Sequence, residues 1–465
     1  MNTTVEHEGG LEETLARFLV NFNWTNIGSA DLPAVKAIIK DQLALQISAV
    51  ELPWSKDVRR SFAKLRPGNA SIVGESILVD PADAAYFNAT YGHGFEYDDV
   101  ASNAHPGCCV VPTALAVGEE LGATLGQVVE AMVAGYEVYV RLGRLAMPFL
   151  VTSGWHAHSV LANFGAAAVT AKLYSMDERL VSHALAIALS HAGGTTEYTL
   201  SGGSIKRAHA GIGVRNGIEA AALARNNVTG PANYLTGKKG FFQNFIRRGP
   251  NDDLAMFDLE RPLRINDGWI KAYCCCGAHH AYLDAMKTLQ GDAHRIVAVD
   301  ANVQTMTAAL ADNPHVQQHG TANIEELQFS LALQMAMAVL GKGNGYAVHR
   351  DFLAGRVNVS ADSDVVQFAR RIRINRTPEL DTRYPYNFVA DMVIHYDNGE
   401  SQHLFVEAAK GTAENPFTAE EHRGKLDELT VAVIGQDKTD ELFGLIDAMD
   451  KDRPISDVTR LLRWS

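Results

Sequence analysis

The chain predicts a mainly α fold, an all-helical large domain completed by the C-terminus and carrying an α+β lid domain. Three observations predict it. From about Leu11 to Arg225, apolar residues recur at three- and four-residue spacing. Near residue 295 the pattern changes to short β-like runs, and from Thr418 to Leu462 the amphipathic helical pattern returns. At 465 residues the chain is too long for one compact core, so two domains are expected. The expected boundaries are 1–268 for the helical domain, 269–408 for the lid, and 409–465 for helices packing back on the helical domain.

Gln127 to Ala146 is the clearest helix, with Val129, Met132, Val133, Tyr136 and Val140 on one stripe. Val160 to Tyr174, Leu180 to Ser190 and Gly213 to Ala224 are Ala-rich helical segments whose small side chains suit close packing. Further on, Ile296 to Val299 and Ala369 to Ile374 read as short strands, and Ile324 to Leu340 as a helix between them. Asn387 to Tyr396 and Glu400 to Glu407 form the strongest strand signal, joined by Asp397-Asn398-Gly399 as a hairpin loop.

Hydrophobic residues make up 47% of the chain and charged residues 20%, the balance of a globular protein. A net charge of −13 argues against non-specific nucleic-acid binding, which needs a basic footprint. Met1 to Gly10 is polar and acidic rather than signal-like, and no stretch has 18 uninterrupted apolar residues. The expectation is a cytoplasmic protein without membrane or nucleic-acid partners. The five cysteines fall in two runs, Cys108-Cys109 and Cys274-Cys275-Cys276, which disfavours a disulfide framework. Cys275, Cys276, His279 and His280 lack the paired spacing of a zinc site, so no metal is expected.

Four clusters carry candidate chemistry. The first, Gly92 to Asp99 followed by Ser102 to Gly107, gathers His93, Glu96, Asp98, Asp99 and His105 among glycines and a proline. It reads as a polar loop able to aim carboxylates and an imidazole at one point, or else as caps and solvent-facing charges. The second, Gly154 to Ser159, sets His156 and His158 at a helix start, where an anion is welcome and imidazole can shuttle protons. The third, Ser201 to Gly211, reads as a loop ahead of a helix, with Ser204, Lys206, Arg207 and His209 as a carboxylate cradle or, alternatively, a solvated basic loop. It has neither P-loop spacing nor a preceding strand. The fourth, Ile270 to His280, offers Lys271, Tyr273, His279 and His280 beside the change of domain character. No G-x-S-x-G elbow is present.

Taken in order, these clusters resemble the MmgE/PrpD family, which includes dehydratases, decarboxylases and epimerases of di- and tricarboxylic acids. The stretches that carry the resemblance are the acidic loop ending in His105-Pro106, Gly154-Trp155-His156, Lys206 with His209 and Arg215-Asn216-Gly217, and Lys271-Ala272-Tyr273 leading to His280 and Asp284. Gln328-Phe329-Ser330-Leu331 and Arg383-Tyr384-Pro385 add weaker matches. The resemblance implies a helical domain with a smaller α+β lid, a site in the cleft between them, a homodimer, and activity without metal or organic cofactor. It makes His105, His156, Lys206, Lys271, Glu96 and Asp98 the catalytic candidates. Asp99, His158, Ser204, Arg207, His209, Tyr273, His279, His280 and Arg383 complete the substrate-binding candidates.

Three positions depart from the family pattern. Glu96 stands where relatives typically have Asp, Val100 where some carry Thr, and Leu333 where many have Tyr. Loss of polar groups from a pocket wall implies a different substrate. The expected activity is a cofactor-independent lyase, dehydratase or decarboxylase, moving a proton next to a carboxylate of a small di- or tricarboxylic acid. An isomerase or epimerase, or a non-catalytic carboxylate-binding protein, are the alternatives.

Overall fold

The computed structural model describes residues 10–250, 257, 259, 262–384 and 387–464. The described chain divides into two compact units, one formed by 1–94, 98–268 and 429–465, the other by 95–97 and 269–428. Phe95, Glu96 and Tyr97 thus group with the second unit, although their neighbours Gly94 and Asp98 belong to the first.

Among the described residues, the regular structure of the first unit is helical except for a pair of two-residue strands, β1 (Ala70–Ser71) and β2 (Leu78–Val79). Its longest helix, Leu125–Ala146, starts where Thr124 and Gln127 cap each other reciprocally. The preceding helix, Gly107–Leu121, stops at Gly122, whose φ of 64° is the left-handed conformation that suits glycine. At the centre, Ala157–Leu173 is buried continuously from Ala157 to Ala171 and packs against Leu125–Ala146 and Ile205–Arg225.

Ile205–Arg225 begins eight residues before the expected Gly213, so Lys206, Arg207 and His209 lie on a helix and not in a loop. The glycines that resemble loop signals are close contacts. A Cβ on Gly211 would come within 2.5 Å of the Tyr86 carbonyl oxygen, and one on Gly217 within 2.6 Å of the Asn163 oxygen. Missing side chains let this helix approach its neighbours, which outweighs their cost in helix propensity of roughly 1 kcal/mol each.

The second unit holds a four-stranded mixed sheet in the order β4-β3-β5-β6: β3 (Ile296–Val303), β4 (Ile372–Arg376), β5 (Ala390–Tyr396) and β6 (Ser401–Val406). β3 runs parallel to β4 and antiparallel to β5, and β5 and β6 form the expected hairpin. In β5, Ala390, Met392 and Ile394 turn inward at period two. Ala369 ends the helix Asp364–Ala369 rather than starting a strand. The expected helix from Ile324 to Leu340 is two helices, Ile324–Gln328 and Leu331–Val339. Ser330 between them is extended and caps the second through Leu333 N–H. Helix Ala419–Ile434 runs across the boundary at residue 428.

Among the described residues, no helix is long and apolar enough to cross a membrane. All five cysteines are buried and none is in a disulfide.

Candidate functional site

The first-unit parts of the acidic segment, Tyr91 to Gly94 and Asp98 to Ala101, are buried throughout, so the expected polar loop is an interior one. Helix Pro81–His93 ends by turning His93 inward, where Nδ1 lies 2.8 Å from Asp98 Oδ2. His105 Nδ1 lies 3.3 Å from the same oxygen and 3.1 Å from the Asp99 carbonyl. The ring of His93 is 4.9 Å from His105, 4.6 Å from His158 and 6.0 Å from His156. His156 caps the helix Ala157–Leu173, and its Nδ1 meets His209 Nδ1 at 2.8 Å. Five imidazoles and one carboxylate therefore form a connected set in the interior of this unit.

Electrostatics sort the members. Burial opposes the Asp98 charge, but His105 and then His93 outweigh it, holding the carboxyl well below its ordinary range. His93 is itself held well below its ordinary value, by burial first and by the charge of Lys206 next. A ring without exposure, in the field of a lysine, is better read as neutral, donating Nδ1–H to an ionised Asp98. His158 is lowered to about 3 and His209 to about 4, each by burial first. Asp99 goes the other way. Burial, Asp98 and Asp41 push it up to about 7, while it accepts from Gly107 N–H at 3.2 Å and from the Tyr136 hydroxyl at 3.3 Å. Lys206 is buried near the start of its helix.

Arg207 is engaged elsewhere. Its guanidinium lies 3.8 Å above the Trp54 ring and donates to the Gly94 carbonyl, bracing the backbone where the acidic segment begins. Ser204 is exposed at the helix start and makes no side-chain cap bond.

In the second unit, Lys271 is 1% exposed and donates to Glu96 twice, at 3.1 Å to its carbonyl and 3.1 Å to Oε2. The whole 95–97 segment is fixed in this manner. Cys274 Sγ and Gln328 Nε2 donate to the Phe95 carbonyl, and Lys425 Nζ donates to the Tyr97 carbonyl at 2.9 Å. Glu96 sits at φ 58°, a left-handed conformation that non-glycine residues adopt at a cost of about 1 kcal/mol or more. His279 and His280 are fully buried, lowered by burial first and by Lys271 next, His279 to about 3. The ring nitrogens of His279 have no hydrogen-bond partner among the described residues. Tyr273 is tied to Asp284 through its hydroxyl. Arg383 is half exposed and pairs with Glu407 at 2.6 Å, and Pro385 of the same stretch lies outside the described residues.

Residues 13–252 match the MmgE/PrpD N-terminal domain and residues 273–450 the MmgE/PrpD C-terminal domain. The chain belongs to the MmgE/PrpD family. A cis-aconitate decarboxylase of Aspergillus terreus is 26% identical over 480 residues, covering 98% of this chain and 96% of that protein. The cis-aconitate decarboxylase-like protein oryM of Aspergillus oryzae is 25% identical over 467 residues, with 95% and 96% covered. A human cis-aconitate decarboxylase is 30% identical over 206 residues, 42% of each chain.

For an MmgE/PrpD chain the division of carboxylates is informative. Glu96 is committed to Lys271, while Asp98 is the carboxylate among the imidazoles. Val100 and Leu333, the apolar departures, are both buried. Reading the sequence placed His93 in the first cluster without making it a site candidate, and missed Cys108 and Tyr139 as neighbours of the imidazole set. The signal available was the six-residue frame from His93 to Asp98, which pairs only because the helix ends at His93.

Proposed function

We propose that this protein is a lyase that removes CO2, or alternatively water, from a small di- or tricarboxylic acid by side-chain acid–base chemistry without metal or organic cofactor. The observation that carries the reading is the interior set of His93, Asp98, His105, His156, His158 and His209, with Lys206 in its field. The nearly full-length likeness to proteins named cis-aconitate decarboxylase favours decarboxylation over dehydration.

In this reading the bond from carbon to the departing carboxylate breaks and its electron pair stays on carbon, delocalised toward a neighbouring carboxylate. Buried Lys206 stabilises that charge, since a fixed cation in a poorly solvated site acts without solvent reorganisation. His105, the most exposed of the set with 13% of its side chain open, delivers the proton to carbon, and Asp98 orients it.

Incubation with a panel of unsaturated and hydroxylated carboxylic acids in D2O, followed by NMR and CO2 capture, tests this. The expected result is stoichiometric CO2 or water loss, with one deuterium placed on carbon in the decarboxylation case. Deuterium uptake with neither loss would make the protein an isomerase and overturn the lyase reading.

A further inference from the structure

We propose that His93, Cys108 and His158 form a binding site for a soft divalent cation, with zinc as the fitting ion. Each residue offers one ligand atom, and the three atoms lie within 4.8 Å of one another. Cys108 Sγ and His158 Nε2 are 3.6 Å apart. Two ligands of one tetrahedral zinc, at about 2.3 Å for sulfur and about 2.0–2.1 Å for nitrogen, stand roughly 3.5 Å apart. The third ligand is prepared as well. Asp98 holds Nδ1 of His93, and its Nε2 is buried with no hydrogen-bond partner among the described residues.

The surroundings orient the ligands as an outer shell does. The Asp98 carboxylate fixes the His93 ring, and the Tyr139 hydroxyl lies 2.7 Å from His158 Nδ1. The Tyr139 oxygen accepts from His105 N–H at 3.2 Å and has a second lone pair for a His158 Nδ1–H; in that tautomer Nε2 carries the lone pair that ligates, in place of a bond to the His105 backbone. A thiolate and two imidazoles select zinc over magnesium or calcium, which take oxygen ligands. Because a thiol ligates as thiolate, binding replaces the Cys108 S–H bond by an S–metal bond and releases one proton. Three protein ligands leave a fourth position open, and His105, 5.9 Å ring to ring from His158, lies on the more exposed side of the set.

Occupancy would immobilise His93 and His158 inside the imidazole set and so inhibit turnover. That consequence rests on the proposed function, whereas binding does not. A second set sharing His93, formed with Asp98 and His105, has no sulfur, which makes the two distinguishable.

The test is titration of chelator-treated full-length protein with Co2+, read by absorbance, followed by displacement with Zn2+. The expected result is about one equivalent bound with a thiolate-to-cobalt charge-transfer band, and release of about one proton. Cys108→Ser should abolish that band and weaken zinc binding roughly 10–100-fold or more, and His158→Gln should weaken binding comparably without removing the sulfur ligand. Cys109→Ser should leave both unchanged, because the Cys109 thiol donates to the Ala162 carbonyl instead. Cobalt binding without the charge-transfer band, or zinc affinity equal in wild type and a folded Cys108→Ser, would overturn the proposal. Neither readout depends on substrate, so loss of the lyase reading would leave it standing.

Discussion

His156 and His209 face each other through their Nδ1 atoms at 2.8 Å, which means that one ring donates and the other accepts. The accepting ring must be neutral, so the pair carries at most one positive charge. Both rings are lowered from their ordinary value, by burial first in each case.

This sets an acid limit on stability. His209 is held down to about 4 against an ordinary 6.5, so below about 6.5 the unfolded chain takes up a proton that the folded chain refuses. Its contribution is intact above that value and is lost as pH falls toward 4, a cost on the order of 3 kcal/mol. His349 and His279, at about 4 and about 3, act in the same direction. Urea unfolding at about pH 7.5 and about pH 4.5 should show a large fall in stability that His209→Asn makes smaller. An equal fall in both proteins would contradict it.

Asp99 has the opposite sign. Pushed up to about 7, it keeps a proton that the unfolded chain gives up near 3.8. The resulting penalty is absent below about 3.8, grows as pH rises and is complete above about 7. Asp99→Asn, which retains an acceptor for Gly107 N–H, should be more stable than wild type by roughly 2–4 kcal/mol at alkaline pH, with no difference in acid. Thermal melts across pH will check this, and a gain in acid as large as that in alkali would refute it.

The Lys271–Glu96 pair is buried on both sides, so removing one partner leaves an uncompensated charge. Lys271→Met should cost about 3–5 kcal/mol, and the double variant with Glu96→Gln should recover much of it. A double-mutant cycle showing simple additivity would disprove a coupled pair.

Gly217 has no room for a side chain against Asn163 and Ala166. Gly217→Val should push the helices apart and cost about 1–3 kcal/mol or more by chemical denaturation. An unchanged midpoint would show that the helix pair can give at this contact.

Among the site candidates themselves, Lys206→Met and His105→Gln should each lower kcat/KM about 10²–10⁴-fold with the fold intact by circular dichroism. Ser204→Ala and Arg383→Ala should change it little, because one side chain is solvent-exposed and the other is paired at the surface. The reverse ranking in steady-state assays would relocate the site.

Periodicity alone made the mainly α fold with an α+β part legible, because amphipathic spacing and strand alternation are local signals. The Asp397-Asn398-Gly399 hairpin was legible for the same reason. Local signals failed at Ser201 to Gly211, where glycines required by helix contacts look like glycines required by a loop. They failed again at Phe329-Ser330, where a cap interrupts a continuous apolar run.

For the site, the sequence by itself determined the kinds of group available, a run of imidazoles, two lysines and three carboxylates in an order resembling one family. Only the tertiary structure decided their partners. It set Asp98 between His93 and His105, gave Glu96 to Lys271, turned Arg207 onto Trp54, and brought Cys108 to His158 across fifty positions of sequence. Charge states follow from those partners and from burial, and neither is a property of a residue's place in the chain.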